Sequence, residues 1–130
     1  MRLLIVDDNQ DTIESAAQLF ALWKHDVLVA RSGPEALKIA AELPLDAVLL
    51  DIGLPEMTGY EVARRMRKDV RLKDVVLIAI SGYGQPRDRQ LSREAGFDEH
   101  HVKPVNLEQL NLRLAEMIKA KTRNRSSAVD

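Results

Sequence analysis

Five short apolar runs punctuate the chain: LLIV at 3–6, VLVA at 27–30, AVLL at 47–50, VVLIAI at 75–80 and HHV at 100–102. Longer segments with the period of a helix separate them. Strands joined through a helix must cross over and pair in parallel, and strands that are apolar at every position are covered on both faces. The pattern therefore predicts an α/β class domain, a doubly wound parallel sheet of five strands with helices on both sides.

The intervening segments support this reading. TIESAAQLFALW places Ile13, Ala16, Ala17, Phe20 and Trp23 on one helical face, and PEALKIAAEL does the same with Ala36, Leu37, Ala40 and Leu43. A third helix is predicted from Thr58, a candidate N-cap, to about Lys68, with Tyr60, Val62, Ala63 and Met66 inward. PRDRQLSREAG opens with proline and closes with glycine, as helices do. Its only large apolar residue is Leu91, so this fourth helix should be the most weakly held element. The last helix runs from Asn106 to about Lys121 on a stripe of Leu107, Leu110, Leu114, Met117 and Ile118, with Leu112 off that stripe and facing outward. The organisation is one domain over residues 1–120 and a polar tail over 121–130.

Composition narrows the function classes. Nineteen basic against twenty acidic residues leave a formal charge of -1, so no global field draws the chain to nucleic acid. The basic run Lys119, Lys121, Arg123, Arg125 reads as a solvated face. Cysteine is absent, which removes disulfides, thiolate metal sites and cysteine nucleophiles. No apolar run approaches the roughly 18 residues of a membrane span, and aspartates interrupt any secretory pattern at the N-terminus. The chain reads as soluble and cytoplasmic, without membrane contact.

In a parallel sheet the residues just beyond the strands meet along one edge. There the strands end in Asp7 and Asp8, in Asp51, in Ser81 and Gly82, and in Lys103 and Pro104. Adjacent aspartates repel unless a cation lies between them. Carboxylate oxygens without sulfur or a histidine cluster select a hard cation, with Mg²⁺ favoured because it takes a few carboxylates and keeps several waters. Lys103 adds a compact positive charge and Ser81 a hydroxyl, both suited to phosphoryl oxygens, and an aspartate can itself be the nucleophile. Taken separately, Asp7 and Asp8 could simply complement a helix dipole, and Ser81 could be a turn residue. His100 and His101 are adjacent on a strand and face opposite ways, which disfavours joint metal binding. Trp23 and Tyr60 read as packing residues.

VDDN at 6–9, DIGLPEMTGYE at 51–61, SGYG at 81–84 and VKPV at 102–105, in this order and spacing, resemble the receiver domains of two-component response regulators over residues 2–120. The resemblance implies a flavodoxin-like sheet in the order 2-1-3-4-5. It implies that Asp51 is the phosphoacceptor, with Ser81 as switch hydroxyl and Lys103 as basic partner. Mg²⁺, or Mn²⁺ in its place, would be held by Asp8, Asp51 and the Gly53 carbonyl, with Asp7 acting partly through water. Pro104 would follow a peptide bond for which cis is an option. The implied partner is a histidine kinase or a histidine phosphotransfer domain, and phosphorylation would switch the surface of the fourth helix, fifth strand and fifth helix.

His100 stands where many members of that family carry a Tyr or Phe, and in this it is similar to receivers of hybrid sensor kinases. A fused kinase or output domain is therefore part of the expectation. Gly53 and Tyr83 occupy positions that govern how water reaches the phospho-aspartate, and they imply a longer lifetime than in chemotaxis regulators. An aspartyl-phosphate phosphatase would need a second aspartate two residues after the nucleophile, where Gly53 stands. A nucleotide-binding domain would need a glycine-rich phosphate loop, and none is present. A receiver-like domain that binds partners without phosphorylation would not need the intact acidic and basic set. The isolated domain is expected to catalyse only its own phosphorylation and dephosphorylation.

Overall fold

A computed structural model describes the backbone of residues 1–82 and 84–129, and side chains of these residues through 123. Strands β1 (Arg2–Val6), β2 (Asp26–Ala30), β3 (Ala47–Asp51), β4 (Val76–Ser81) and β5 (Glu99–Val102) form one parallel sheet in the order β2-β1-β3-β4-β5. Helices α1 (Gln10–Leu22), α2 (Gly33–Glu42), α3 (Gly59–Lys68), α4 (Pro86–Ala95) and α5 (Leu107–Val129) make the crossovers, with a 3-10 turn at Val70–Leu72. The doubly wound architecture expected from the sequence is the one observed.

Alternate strand residues divide the core into two layers. Leu3, Ile5, Leu49, Val76 and Ile78 meet Ile13, Ala16 and Phe20 of α1 and Leu110, Leu114 and Met117 of α5. On the other face Leu4, Val6, Val48, Leu50, Leu77 and Ala79 meet α2, α3 and α4 through Ala36, Ala40, Val62, Ala63, Met66 and Ala95. Trp23 caps α1 at the core edge, its ring edge-on to Phe20 at 5.3 Å between centroids. Leu43 departs from its expected inward place because the chain has already turned extended there, and it is exposed. Leu112 is exposed, as its position off the stripe predicts.

Leu91, the one large apolar residue of α4, is exposed, and Ser92 and Ala95 are the helix's buried side chains. Small residues let the helix lie close to the sheet, and Ser92 Oγ shares a 2.6 Å hydrogen bond with His100 Nδ1 of β5. The tail expected from residue 121 onward instead continues α5, which runs Leu107–Val129. Lys121, at the expected end, is anchored there. Its ammonium donates to the Val75 carbonyl at 3.1 Å and pairs with Asp98 at 3.1 Å.

Asp98 is the centre of a closed polar cluster at the N-terminal edge of the sheet. It accepts from the Leu77 N–H at 2.9 Å and from Arg67 at 3.0 Å. Arg67, in the last turn of α3, also donates to the carbonyls of Gly96 at 2.9 Å, Leu72 at 3.0 Å and Val75 at 2.8 Å. Gly96 ends α4 with φ of 108°, a conformation that costs glycine nothing, and its missing side chain leaves room for the Arg67 stem.

Candidate functional site

At the opposite edge each functional side chain is set by the backbone next to it. The Asp7 N–H donates to the Ala30 carbonyl at 3.2 Å, holding the end of β1 beside the end of β2. Asn9 then caps α1, its Oδ1 accepting from the Thr12 N–H at 2.9 Å, while its own N–H donates to Asp7 Oδ1 at 2.9 Å. Asp51 is the last residue of β3, and its Oδ1 accepts from the Gly53 N–H at 3.0 Å. The start of α3 presses against this strand end: a Cβ at Gly59 would lie 2.6 Å from the Asp51 carbonyl oxygen. Only glycine fits there.

Ser81 closes β4 and is buried, and its carbonyl accepts from the Lys103 N–H at 2.8 Å. The peptide between Lys103 and Pro104 is cis. Lys103 Nζ reaches Asp51 Oδ2 at 3.3 Å and Asp7 Oδ2 at 3.6 Å. Beside these groups a cleft of about 680 Å³ opens between α1 and α5, floored by Ile5, Leu49 and Ile80 and reaching Asp51 and Lys103.

Asp7, Asp8 and Asp51 each bring one carboxylate oxygen to within 4.8 Å of the others. Octahedral Mg²⁺ holds its ligands at about 2.1 Å, so opposite oxygens sit about 4.2 Å apart. Carboxylate oxygens gathered this closely are a set that could hold one such ion. Lys103 balances one of the three carboxylates, which leaves two negative charges, the charge a divalent cation would cancel. Burial pushes the Asp7 carboxyl above its usual range, and the Asp51 and Asp8 charges add to this against the pull of the Asn9 N–H and Lys103. Burial alone would lower the Lys103 ammonium, but the carboxylates of Asp51 and Asp7 outweigh it and hold the group above its ordinary value. Receiver domains bind Mg²⁺ through an acidic pocket of this kind.

The residues singled out from sequence gather at one edge: Asp7, Asp51 and Lys103 by ion pairs, Asp8 by the nearness of its carboxylate, and Ser81 by strand position. Gly53 contributes an N–H to Asp51 in this structure. Tyr83 lies outside the described residues. His100 and His101 do diverge, His100 toward Ser92 and His101 Nε2 toward Glu99 at 2.9 Å. Tyr60 packs against the α2–α4 layer, and burial pushes its phenol up against the opposing pull of a hydrogen bond with Ser92. Sequence reasoning missed Arg31, whose guanidinium donates to the Asp8 carbonyl at 3.2 Å. A single arginine after an edge strand carries no pattern that would have marked it.

Residues 3–115 match the family model of the response regulator receiver domain. A probable cyclic di-GMP phosphodiesterase of Vibrio cholerae serotype O1 is 39% identical over 86% of this chain, which spans 25% of that protein. The polar-differentiation response regulator DivK of Brucella ovis is 30% identical, covering 81% of this chain and 85% of its own. Among solved structures, a CheY-like response regulator receiver domain protein from Methanospirillum hungatei JF-1 is similar with a TM-score of 0.88 and 28% identity, covering 95% of this chain and 97% of that one.

Proposed function

Because the chain belongs to the response regulator receiver domain family, we propose that it accepts a phosphoryl group on Asp51 from a phosphohistidine, in a Mg²⁺-dependent step. The observation that carries this reading is the ion pair of Asp51 and Lys103 at 3.3 Å, placed among the carboxylates of Asp7 and Asp8. An Asp51 oxygen forms the new P–O bond, and the P–N bond of the donor breaks with its electron pair leaving on the imidazole, which takes a proton from solvent. Asp8, Asp51 and the Gly53 carbonyl, with Asp7 behind them, would hold Mg²⁺ or Mn²⁺, which would supply charge neutralisation. Lys103 is freed from Asp51 as the carboxylate becomes an acyl phosphate, and it turns to a phosphoryl oxygen. Ser81 donates its hydroxyl to another.

The donor is a histidine kinase or a histidine phosphotransfer domain, since receiver domains work with such proteins. The cleft beside Asp51 and Lys103 leaves the acceptor side open to one. Transfer then shifts the surface of α4, β5 and α5. Support for that comes from the way α4 is held, by small residues and the Ser92 to His100 hydrogen bond. In this chain a polar tie stands where a rotating aromatic ring is common. The chain spans a quarter of its Vibrio relative, so a fused kinase or output domain, its activity and a cytoplasmic site of action all belong to this proposal.

Incubation with acetyl phosphate, followed by intact mass, tests the reading. One phosphoryl group is expected on the wild type with Mg²⁺, and none with chelator or on Asp51→Asn. If nothing adds although Mg²⁺ binds, a partner-binding role without phosphorylation takes its place.

A further inference from the structure

The three carboxylates are not held alike. Asp7 has the Asn9 N–H and Lys103, and Asp51 has the Gly53 N–H and Lys103. Asp8 is exposed, and among the described residues no hydrogen bond or ion pair reaches its carboxylate. Its direction is therefore set by its own backbone. One side chain grips that backbone: the Arg31 guanidinium donates to the Asp8 carbonyl at 3.2 Å.

Arg31 is itself braced. Its N–H donates to Glu35 Oε2 at 3.1 Å, and Glu35 is tied through its own N–H to the Ser32 hydroxyl that caps α2. The neighbouring bond from the Asp7 N–H to the Ala30 carbonyl joins the same two strand ends. The turn after β1 thus rests on the turn after β2, and Arg31 is the side-chain part of that support.

We propose that Arg31 is a positioning residue for the metal site, acting from behind through the Asp8 carbonyl, an inference that rests on the Mg²⁺ reading above. The alternative role of a nearby cation predicts the opposite sign. A positive charge close to the site repels Mg²⁺, so if Arg31 acted by charge alone its removal would tighten binding. If it holds Asp8 in place, removal loosens binding. Groups that orient metal ligands from a distance typically contribute about tenfold or more in affinity.

Titration calorimetry of the full chain with MgCl₂ decides between them, with wild type, Arg31→Met and Arg31→Lys run side by side. Arg31→Met is expected to raise the dissociation constant about tenfold, with Arg31→Lys between it and wild type because an ammonium still donates one bond. The metal-free melting temperature of both should stay within about 2 °C of wild type, as for an exposed residue. Tighter or unchanged binding in Arg31→Met overturns the inference while leaving the site intact. Absence of Mg²⁺ binding in the wild type takes down the metal reading and this inference together.

Discussion

The two edges of the sheet solve opposite electrostatic problems. At the C-terminal edge three carboxylates gather, one ammonium pairs with only two of them, and one of those two, Asp7, is buried with its carboxyl pushed upward. At the N-terminal edge a single carboxylate, Asp98, is met by two cations and a backbone N–H, and nothing further is needed to neutralise it. One edge is left short of positive charge and the other is closed. On the proposed function, the open edge forgoes the stabilisation that a closed cluster provides so that it can take up an ion and a phosphoryl group.

The largest expected effect is at the closed edge. Asp98→Ala removes the shared acceptor and leaves Arg67, Lys121 and the Leu77 N–H without it. A loss of about 3 kcal/mol in urea unfolding is expected, somewhat below a fully buried pair because water partly reaches this one. Should the loss be below about 0.5 kcal/mol, the cluster is ornamental and the contrast between the edges fails.

Next comes the open edge. Mg²⁺ at ten times its dissociation constant should stabilise the protein by about 1.4 kcal/mol, reversibly on chelation. The gain should survive in Asp98→Ala and vanish in Asp51→Asn. Loss of the gain in Asp98→Ala would show that the edges are coupled rather than independent.

The smallest effect is the most direct probe of the charge shortage. With its carboxyl held above the usual range, Asp7 favours the protonated folded state. Its contribution is complete below the ordinary carboxylate value and is lost as pH rises through the folded one. Metal-free protein should therefore be more stable at neutral pH as Asp7→Asn, and that variant should show a flatter stability profile above the ordinary carboxylate range. Thermal melts across pH with chelator present measure both. A destabilised Asp7→Asn would mean that its pairing with Lys103 outweighs burial.

The open edge was more legible in the sequence than the closed one, for a physical reason. Strand periodicity fixes which residues end each strand, and parallel topology then brings Asp7, Asp8, Asp51, Ser81 and Lys103 to one edge. Arg67, Asp98 and Lys121 lie on different elements, with no periodicity to join them, and their pairing follows only from how α3, β5 and α5 pack. The same gap hides how α4 is tied and where α5 ends: nothing in the sequence sets Ser92 against His100, or Lys121 against the Val75 carbonyl. The α3 cap was easier, since Thr58 acts on a partner within four residues.

The glycine at the start of α3 has a consequence for anyone inserting reporter sequences into this domain. The Gly59 N–H donates to the Ile52 carbonyl at 3.0 Å, so the segment between them is a loop pinned at its base. Lengthening a pinned loop is entropically cheap, about 0.6 kcal/mol for each doubling. A single methyl group at Gly59, by contrast, would have to displace the strand end that carries Asp51. In a deep mutational scan Gly59 should tolerate almost no change, while added residues should be accepted beside the exposed Pro55 and Glu56.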